Sequence, residues 1–402
     1  MKPGQPRFEA LDSWRGISAA LVALFHLQAY SHFYDLSLLR NSYLFVDFFF
    51  VLSGFVITAN YRAKLLSGFS FWHFMLLRFG RLYPLHFATL AVLIAMEVVR
   101  YHYDGLFGGV VGGKFVGDRS IEAIVSNIFL VQGLGVHDRL TWNQPSWSIS
   151  VEFYTYVVFA LVVFLFRARI HFAAVAFIVG APILLFWHVG NIDAQYDLGI
   201  VRCIYGFFVG LVCYDLHLAL KRKSGAPTYS VIIAGLAEAV CIGVLILFLC
   251  LCNGGALSLA APIVFAAAVL VFSFEGGPVS SALKMRPLLA LGLLSYSVYM
   301  THMLVQIGMR YVLEFLQKKS GLVLFHQGFF GSELWQGDLA YAVCLVLVVA
   351  ISYVTYNLIE KPGRRLSRHV ADRLFYPAER PSPNWSIRED KRERIVTPAT
   401  TI

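Results

Sequence analysis

The first apolar segment of the chain, residues 11–30 (LDSWRGISAALVALFHLQAY), carries Asp12, Arg15 and His26. Charged groups are costly in a hydrocarbon layer, so an ionisable residue within a membrane span usually has a partner or a function. Arg15 and His26 are eleven positions apart, about three helical turns, which puts them on one helix face roughly 16 Å apart. Asp12 lies on nearly the same face. The spacing predicts a polar stripe with a cation near one membrane surface and an imidazole deep inside.

His26 is the strongest candidate for a reacting group. Burial disfavours the charged imidazolium, so a buried histidine is neutral and can accept a proton from a hydroxyl group as a general base. A structural histidine that hydrogen-bonds a neighbouring helix is an equal alternative on this residue alone.

Arg78 and Arg81 form an R-x-x-R pair in RFGRLYPLHF, at the cytoplasmic end of a later span. Residues three apart share a helix face, and two guanidinium forks on one face suit a phosphate or pyrophosphate. Ordinary anchoring to lipid headgroups is the alternative. Arg15 is predicted at the same membrane surface, and three converging arginines favour an anionic ligand that enters from the cytoplasm.

The segment QPSWSISVEFYTY at 144–156 places Glu152 inside another span, about 10 Å into the apolar layer by helix rise. An intramembrane carboxylate is a functional candidate by default, and Trp147, Ser148 and Ser150 accompany it. The alternative is that Glu152 is the structural partner of a buried arginine or histidine.

Two further spans supply polar groups. VDFFFVLSGFVIT contains Asp47 and the small-residue pair that begins at Ser53, where helices or a ligand can approach closely. Helix packing alone is the alternative explanation for that pair. LSYSVYMTHML contains Tyr299 and His302.

Helix rise places four ionisable groups at similar depth in the outer half of the bilayer: His26, His302, Glu152 and Asp47. We interpret them as lining one cavity, with the arginines below them at its cytoplasmic mouth. The gap is comparable to an extended pantetheine arm. The arrangement therefore predicts a coenzyme A thioester with its phosphates at the mouth and its acyl group at the imidazole.

The composition indicates a polytopic membrane protein, with 58% hydrophobic and 14% charged residues. Ten apolar runs are long enough to cross a bilayer of roughly 30 Å. They predict an all-α bundle with spans at 11–30, 43–61, 79–99, 145–166, 171–189, 198–219, 229–251, 257–274, 288–313 and 338–359. The segment 121–134 is too short to cross, and we expect an interfacial or re-entrant helix there.

Every second loop of this topology is basic, which predicts that both termini are cytoplasmic. The net charge of +9 mostly reflects this bias and does not indicate nucleic-acid binding. The loop at about 100–144, Gly-rich at first, is either a lid or a flexible connection. We expect a membrane domain at 1–370 and a disordered cytoplasmic tail at 371–402. The spacing of the six cysteines suggests no metal site or disulfide framework.

Six motifs in order along the chain resemble those of the acyltransferase 3 family of integral membrane O-acyltransferases. They are ALDSWRG…FH with Arg15 and His26, VDFFFVLSGF, the Arg78–Arg81 pair, WSISVEFY, SYSVYMTH, and IEKPGRRL at 359–366. The resemblance covers about 7–370. One departure is Ser13-Trp14, where Gly-Leu or Gly-Ile is commoner, but no presumed catalytic position is lost.

The resemblance implies that His26 is catalytic and that the arginines take part in acyl-CoA binding and activity. Typical members acetylate sugars of lipopolysaccharide, exopolysaccharide, Nod factors or macrolides at the membrane. We therefore expect a bacterial inner-membrane enzyme that moves a short acyl group, expected to be acetyl, from cytoplasmic acyl-CoA to a saccharide hydroxyl. It is expected to be the type without the esterase-like C-terminal domain that some members carry.

In this interpretation His26 is the general base, and Glu152 or Asp47 orients an imidazole or the acceptor. The CoA phosphates are held by Arg15, Arg78 and Arg81. Supporting or substrate-binding roles are expected for Asp12, Ser53, Trp147, Ser148, Ser150, Tyr299 and His302. The expected partners are acyl-CoA, a saccharide or glycolipid acceptor and membrane lipids, without a metal. The alternative from another class is a transporter of an anionic glycolipid or metabolite.

Overall fold

The computed structural model describes residues 7–102, 115–223, 230–326 and 328–375. The α-helices in these ranges are α1 Glu9–His26, α2 Ser37–Arg40, α3 Phe45–Ile57, α4 Ala63–Leu66, α5 Phe71–His102, α6 Ile121–Ile128, α7 Trp147–Phe166, α8 Ile170–His188, α9 Gly199–Lys223, α10 Val231–Leu251, α11 Ala261–Phe272, α12 Pro278–Leu283, α13 Arg286–Ser320, α14 Leu334–Thr355 and α15 Lys361–Phe375. The strands are β1 Phe325–His326 and β2 Phe329–Phe330, one antiparallel pair. Two π-helical segments, Thr58–Arg62 and Tyr356–Glu360, continue α3 and α14. The prediction of an all-α membrane protein is confirmed.

Seven helical stretches of the described residues are long and apolar enough to cross a membrane. One of them, Gln144–His188, contains both α7 and α8, and Ala256–Phe272 is a shorter apolar helix. The first helix, α1, carries Glu9, Asp12 and Arg15 within its 18 residues, which lowers its hydropathy. Each of the ten predicted spans overlaps a helix, but the number ten and the cytoplasmic termini stay predictions.

The connection after α5 contains the short helix α6, Ile121–Ile128, which covers the first eight residues of the predicted segment 121–134. Its interfacial or re-entrant position stays a prediction. The Gly-rich stretch at 105–113, predicted as a lid or a flexible connection, lies outside the described residues. At the other end, α15 continues to Phe375, past residue 371, where the tail was predicted to begin. The remaining residues of that tail, 376–402, also lie outside the described ones.

Glycines bring α1 and α13 into close contact. A Cβ atom on Gly16 would lie 2.5 Å from the backbone N of Gly292, and one on Gly292 would lie 2.3 Å from the carbonyl oxygen of Asp12. Helices approach this closely only where glycines leave both backbones without side chains at the contact. The contact aligns Arg15 and His26 of α1 with the polar residues of α13.

A second close contact joins α3 and α9. A Cβ atom on Gly54 would lie 1.9 Å from the carbonyl oxygen of Phe207, and one on Gly210 would lie 2.0 Å from that of Val51. Buried aromatic rings fill the space around this crossing, including those of Phe55 and Phe208. The small-residue pair predicted at Ser53-Gly54 therefore packs a helix through its glycine, while Ser53 faces another neighbour.

We expect Gly54→Ala to destabilise the protein by about 1–3 kcal/mol, because the added methyl group overlaps the backbone of α9 and the helices must separate. Thermal unfolding of the purified chain in detergent measures the effect. Gly180→Ala in α8 is the matched control, since no atom lies within 4 Å of the position where its Cβ would be. Equal melting temperatures for the two variants would contradict the close contact.

Candidate active site

His26 is the last residue of α1, because Leu27 adopts an extended backbone with φ −79° and ψ 112°. Its Nδ1 lies 2.9 Å from the carbonyl oxygen of Val22 and 3.2 Å from Nε2 of His302 on α13. A carbonyl oxygen only accepts hydrogen bonds, so the network assigns the ring proton to Nδ1 and leaves Nε2 with a lone pair. This tautomer can accept a proton at Nε2 without any rearrangement.

Two cavities border the His26 ring, and both are also lined by Phe25, Arg40 and Gln144. The first, which we call the Arg202 cavity, has a volume of about 300 Å³ and is further lined by residues that include Tyr43, Trp147, Asp193, Arg202 and Tyr299. The second, the Arg310 cavity, has a volume of about 330 Å³ and is further lined by Gln28, Tyr34, Met303, Gln306, Ile307, Arg310 and Phe330. Both volumes suit a small ligand.

A third cavity, the Arg81 cavity, lies on the other side of Tyr299. Its lining includes Arg15, Ser53, Arg81, Glu152, Tyr156 and Ser295. Val46 and Tyr299 line both this cavity and the Arg202 cavity, so the two share a wall. Tyr299 is fixed there by Ser148, whose Oγ lies 2.8 Å from the phenol oxygen. The Arg81 cavity has a volume of about 80 Å³, too small for a nucleotide and wide enough only for a slender chain.

Arg15 is held in place by α1 and α13. Its Nε donates to Ser295 Oγ at 2.8 Å, its Nη2 donates to the carbonyl oxygen of Gly292 at 3.1 Å, and Asp12 lies 3.4 Å from Nη2. Asp12 therefore helps to orient Arg15, while the supporting or substrate-binding role expected for Asp12 stays a prediction.

Glu152 also belongs to the Arg81 cavity. It accepts hydrogen bonds from Ser53 Oγ at 2.7 Å and from the Tyr156 hydroxyl at 2.5 Å. Ser53 thus helps to orient Glu152, and its supporting or substrate-binding role stays a prediction. The carboxylate and the arginines thus line one cavity, and a ligand there meets charges of both signs.

Neither carboxylate hydrogen-bonds His26, which corrects the expectation that Glu152 or Asp47 orients this imidazole. The alternative, that one of them orients the acceptor, stays a prediction. The hydrogen bonds of His26 in the described residues run to Val22 and to His302. The common depth of the four groups stays a prediction, and their cavity linings differ: His26 borders the Arg202 and Arg310 cavities, whereas Glu152 lines the Arg81 cavity. The four ionisable residues do not line one cavity.

Asp47 is the partner of Arg202, a residue that the sequence reasoning missed. Both Asp47 oxygens accept from the guanidinium, at 3.0 Å from Nε and 2.8 Å from Nη2, and both side chains are almost fully buried. Arg202 Nη1 also reaches Asp193 at 3.1 Å. The arginine lies inside a predicted span, so the cost of intramembrane charge could have drawn attention to it.

We expect Asp47→Asn to destabilise the protein by about 3–5 kcal/mol, because Arg202 would remain buried without its main counter-charge. The double variant Asp47→Asn/Arg202→Met should recover much of this loss, which thermal unfolding in detergent can measure. A stable Asp47→Asn variant that lost only acyl transfer would restore the catalytic role predicted for this carboxylate.

Arg78 does not join Arg81 in the cavity, which corrects the prediction that both arginines contact the same ligand. Its Nη2 donates to the Tyr61 hydroxyl at 2.8 Å, and its guanidinium centre lies 4.8 Å from the Tyr61 ring and 6.0 Å from that of Phe74. Arg78 lines none of the three cavities. In the described residues it acts as a packed support beside Arg81.

Of the other predicted residues on α7, Trp147 lines a cavity, whereas Ser150 holds a neighbouring segment in place. The Trp147 ring lines the Arg202 cavity and lies 5.4 Å from the Arg202 guanidinium centre. Ser150 contacts none of the three cavities. Its Oγ donates to the carbonyl oxygen of Leu130 at 2.5 Å and accepts from the Gly133 N–H at 3.1 Å. Ser150 therefore holds the segment after α6, and of the two roles expected for it only the supporting one stays a prediction.

Sequence reasoning also missed two residues near these sites. Arg40 borders His26 in both cavities but lies in a short helix between predicted spans, where no motif marked it. Glu360, at the end of a π-helical segment, accepts from Ser297 Oγ at 2.8 Å. Its place in the IEKPGRRL motif was the available signal. Among the described residues no cluster of His, Cys, Asp or Glu could hold a metal ion.

Three curated proteins illustrate what the chain resembles. "Protein 2 in picA locus" of Rhizobium radiobacter is 38% identical over 38% of this chain and 81% of its own length. Acyltransferase MdmB of Streptomyces mycarofaciens is 29% identical over 40% of each chain. BcsY of Komagataeibacter xylinus, provisionally named a membrane-bound transacylase, is 25% identical over 88% of this chain and 82% of its own. No solved structure matches the chain.

The family comparison covers nearly the whole bundle. The acyltransferase 3 model, described as "Acyltransferase domain", matches residues 8–357, from the start of α1 into the π-helical segment after α14. The match contains the His26 pair, all three cavities and the arginines of the Arg81 cavity. The chain therefore belongs to the acyltransferase 3 family and is a membrane acyltransferase.

Proposed function

We propose that this enzyme transfers a short acyl group, expected to be acetyl, from cytoplasmic acyl-CoA to a hydroxyl group of a cell-surface or exported saccharide. The observation that carries the proposal is the position of His26. His26 borders two ligand-sized cavities, and one of these shares the lining residues Val46 and Tyr299 with a cavity that two arginines line. One base thus lies between two ligand sites.

In the proposed reaction His26 Nε2 takes the proton of the acceptor hydroxyl as its oxygen attacks the thioester carbonyl. The new C–O ester bond forms, the C–S bond breaks, and the proton on the imidazolium returns to the departing CoA sulfur. His302 and the Val22 carbonyl keep the ring proton on Nδ1 at the start of the cycle. Positioned proton transfer of this kind contributes about 10²–10⁴ in rate.

The donor is proposed to bind through the Arg81 cavity. Its volume of about 80 Å³ suits the end of a pantetheine arm rather than the nucleotide, so the phosphates would lie at the mouth, near Arg15 and Arg81. Arginine forks bind phosphate oxygens bidentately. Glu152 would then contact the acyl end or the amides of the arm. Tyr299, in the shared wall, must move or rotate for the thioester to reach His26.

The acceptor is proposed to bind from the opposite side, through the cavities next to His26. The names of MdmB and BcsY, an acyltransferase and a transacylase, support acyl transfer as the chemistry. A saccharide acceptor and the bacterial inner membrane follow from the family resemblance. With both termini in the cytoplasm, the acceptor site would face the periplasm.

The test uses the full chain purified into nanodiscs, supplied with acetyl-CoA and a mixture of bacterial surface saccharides. We expect release of free CoA thiol that depends on the saccharide, with ester-linked acetyl groups detected on it by mass spectrometry. Movement of a glycolipid across the membrane of proteoliposomes that contain the same chain, without thioester cleavage, would instead support a transporter.

A further inference from the structure

The Arg310 cavity carries an unbalanced positive charge. Its lining contains two guanidinium groups, Arg40 and Arg310, together with His26, and no carboxylate. Neither arginine forms a salt bridge within the part of the chain that the structure describes, and their hydrogen bonds there go to backbone carbonyls. Glu314, four residues along α13, attracts Arg310 electrostatically but does not line the cavity. The cavity is therefore built to receive negative charge.

Both guanidinium groups are held in fixed planes by aromatic rings. The Arg40 centre lies 4.3 Å from the Tyr34 ring and 4.8 Å from the Phe25 ring, and its Nη2 donates to the carbonyl oxygen of Phe25 at 2.9 Å. Stacking of this kind stabilises a cation and limits its rotation. An ordinary solvated arginine would have neither constraint.

Arg310 is fixed in the same way from α13. Its guanidinium centre lies 5.7 Å from the rings of both Phe325 and Phe330, and its Nη2 donates to the carbonyl oxygen of Gly328 at 2.8 Å. A guanidinium has five N–H donors, so one backbone contact leaves most of them for a ligand. The guanidinium groups of Arg40 and Arg310 are thus held in position, and most of their N–H donors are available to a ligand.

The neighbouring Arg202 cavity shows the contrast. In that cavity Arg202 forms salt bridges with Asp47 at 2.8 Å and with Asp193 at 3.1 Å. The positive charge of Arg202 is therefore neutralised by carboxylates of the protein. The two arginines without a salt bridge in the described residues, Arg40 and Arg310, come together in the lining of the Arg310 cavity, while the Arg202 cavity has Arg40 alone. A neutral sugar could only accept hydrogen bonds from these two arginines, whereas a carboxylate or phosphate group would add the attraction of opposite charges.

Arg40 also lies next to the proposed base. The Phe25 ring contacts both the Arg40 guanidinium and the His26 ring, whose centroid is 4.9 Å away. Taking the acyl-transfer function above as its basis, we propose that the acceptor is an anionic saccharide whose carboxylate or phosphate is bound by Arg40 and Arg310. Its charge holds the molecule so that a nearby hydroxyl group faces Nε2 of His26.

The experiment measures binding apart from turnover. The probes are a glucuronic acid tetrasaccharide, the neutral glucose tetrasaccharide and glucose 1-phosphate, titrated against the full chain in phosphatidylcholine nanodiscs. We expect a dissociation constant at least about tenfold lower for one or both charged probes, weakened by raising NaCl because the contacts are ionic. The preferred charged probe identifies a uronic acid or a phosphate as the source of the anionic group.

Arg40→Gln, Arg310→Gln and the double variant should each remove that preference while leaving neutral-probe affinity within about twofold. Arg139→Gln is the matched control, because Arg139 pairs with Asp138 on an exposed segment and lines none of the three cavities. Melting temperatures report whether each variant is folded.

Equal affinity for charged and neutral probes, or a preference that survives in the double variant, would overturn the anionic site. Cleavage of acetyl-CoA is followed in parallel with the surface-saccharide mixture. Its absence in the wild-type chain would count against acyl transfer to saccharides, whereas cleavage without any charge preference would count only against the anionic acceptor. Charge-selective binding without cleavage would keep the site and leave its role to a transporter.

Discussion

Replacing His26 with alanine is expected to lower the rate of acyl transfer by about 10²–10⁴ while the protein still folds and inserts. This range is the usual contribution of a positioned general base. Among the described residues that line both ligand-sized cavities, His26 is the one with a side chain that can act as a base near neutral pH. Thiol release from acetyl-CoA, measured at saturating donor and acceptor, reports the loss.

A buried histidine that lies outside the three cavities provides the control. His86 on α5 is 1% exposed, bonds the carbonyl oxygen of Asn127 through Nε2 at 2.8 Å, and lines none of the three cavities. His86→Gln keeps a donor at that position and should retain acyl transfer. Near-normal turnover in His26→Ala, with His86→Gln also active, would remove the imidazole from the mechanism.

The helix α1 was predictable because its signal is local. Arg15 and His26 belong to one helix, and the 3.6-residue period decides that they share a face. The neighbouring helix is a different matter. The close approach of Gly16 and Gly292 brings α13 against α1. No pattern within either segment shows which glycine contacts which.

Asp47 shows why depth alone cannot define a site. Counting residues from a span end gives height along the bundle axis, but not the direction in which a side chain points. The partner, Arg202, is 155 positions away in the sequence, so the pairing depends on how α3 and α9 cross. Glu152 was misplaced relative to His26 for the same reason.

The two arginines of the R-x-x-R pair point in different directions from the same helix. Residues three apart on a helix differ by about 60° in direction, which is little on a surface but decisive at the edge of a cavity. Arg81 reaches the cavity, whereas Arg78 turns into the ring of Tyr61. The sequence reasoning treated the two as equivalent because a shared face was the finest distinction that spacing allowed.

Because Arg81 lines the cavity and Arg78 does not, we expect replacements of the two arginines to have different effects. Arg81→Ala should raise the KM for acetyl-CoA by about 10- to 150-fold, the equivalent of losing about 1.5–3 kcal/mol of charge-assisted hydrogen bonding. Arg81→Lys should restore only part of the affinity, because an ammonium group cannot reproduce the planar fork. The acceptor KM should change little, since Arg81 does not line the cavities next to His26.

Arg78→Ala is the matched comparison, three residues away on the same helix. It removes the hydrogen bond to Tyr61 and the stacked guanidinium, so we expect a lower melting temperature and a donor KM within about threefold of wild type. Steady-state kinetics on the folded fraction separate binding from stability. If both alanine variants raised the donor KM equally, Arg78 would have to reach the donor in a conformation different from its packed one. If neither did, the donor phosphates would bind elsewhere, and the Arg81 cavity would lose its proposed ligand while His26 could still be the base.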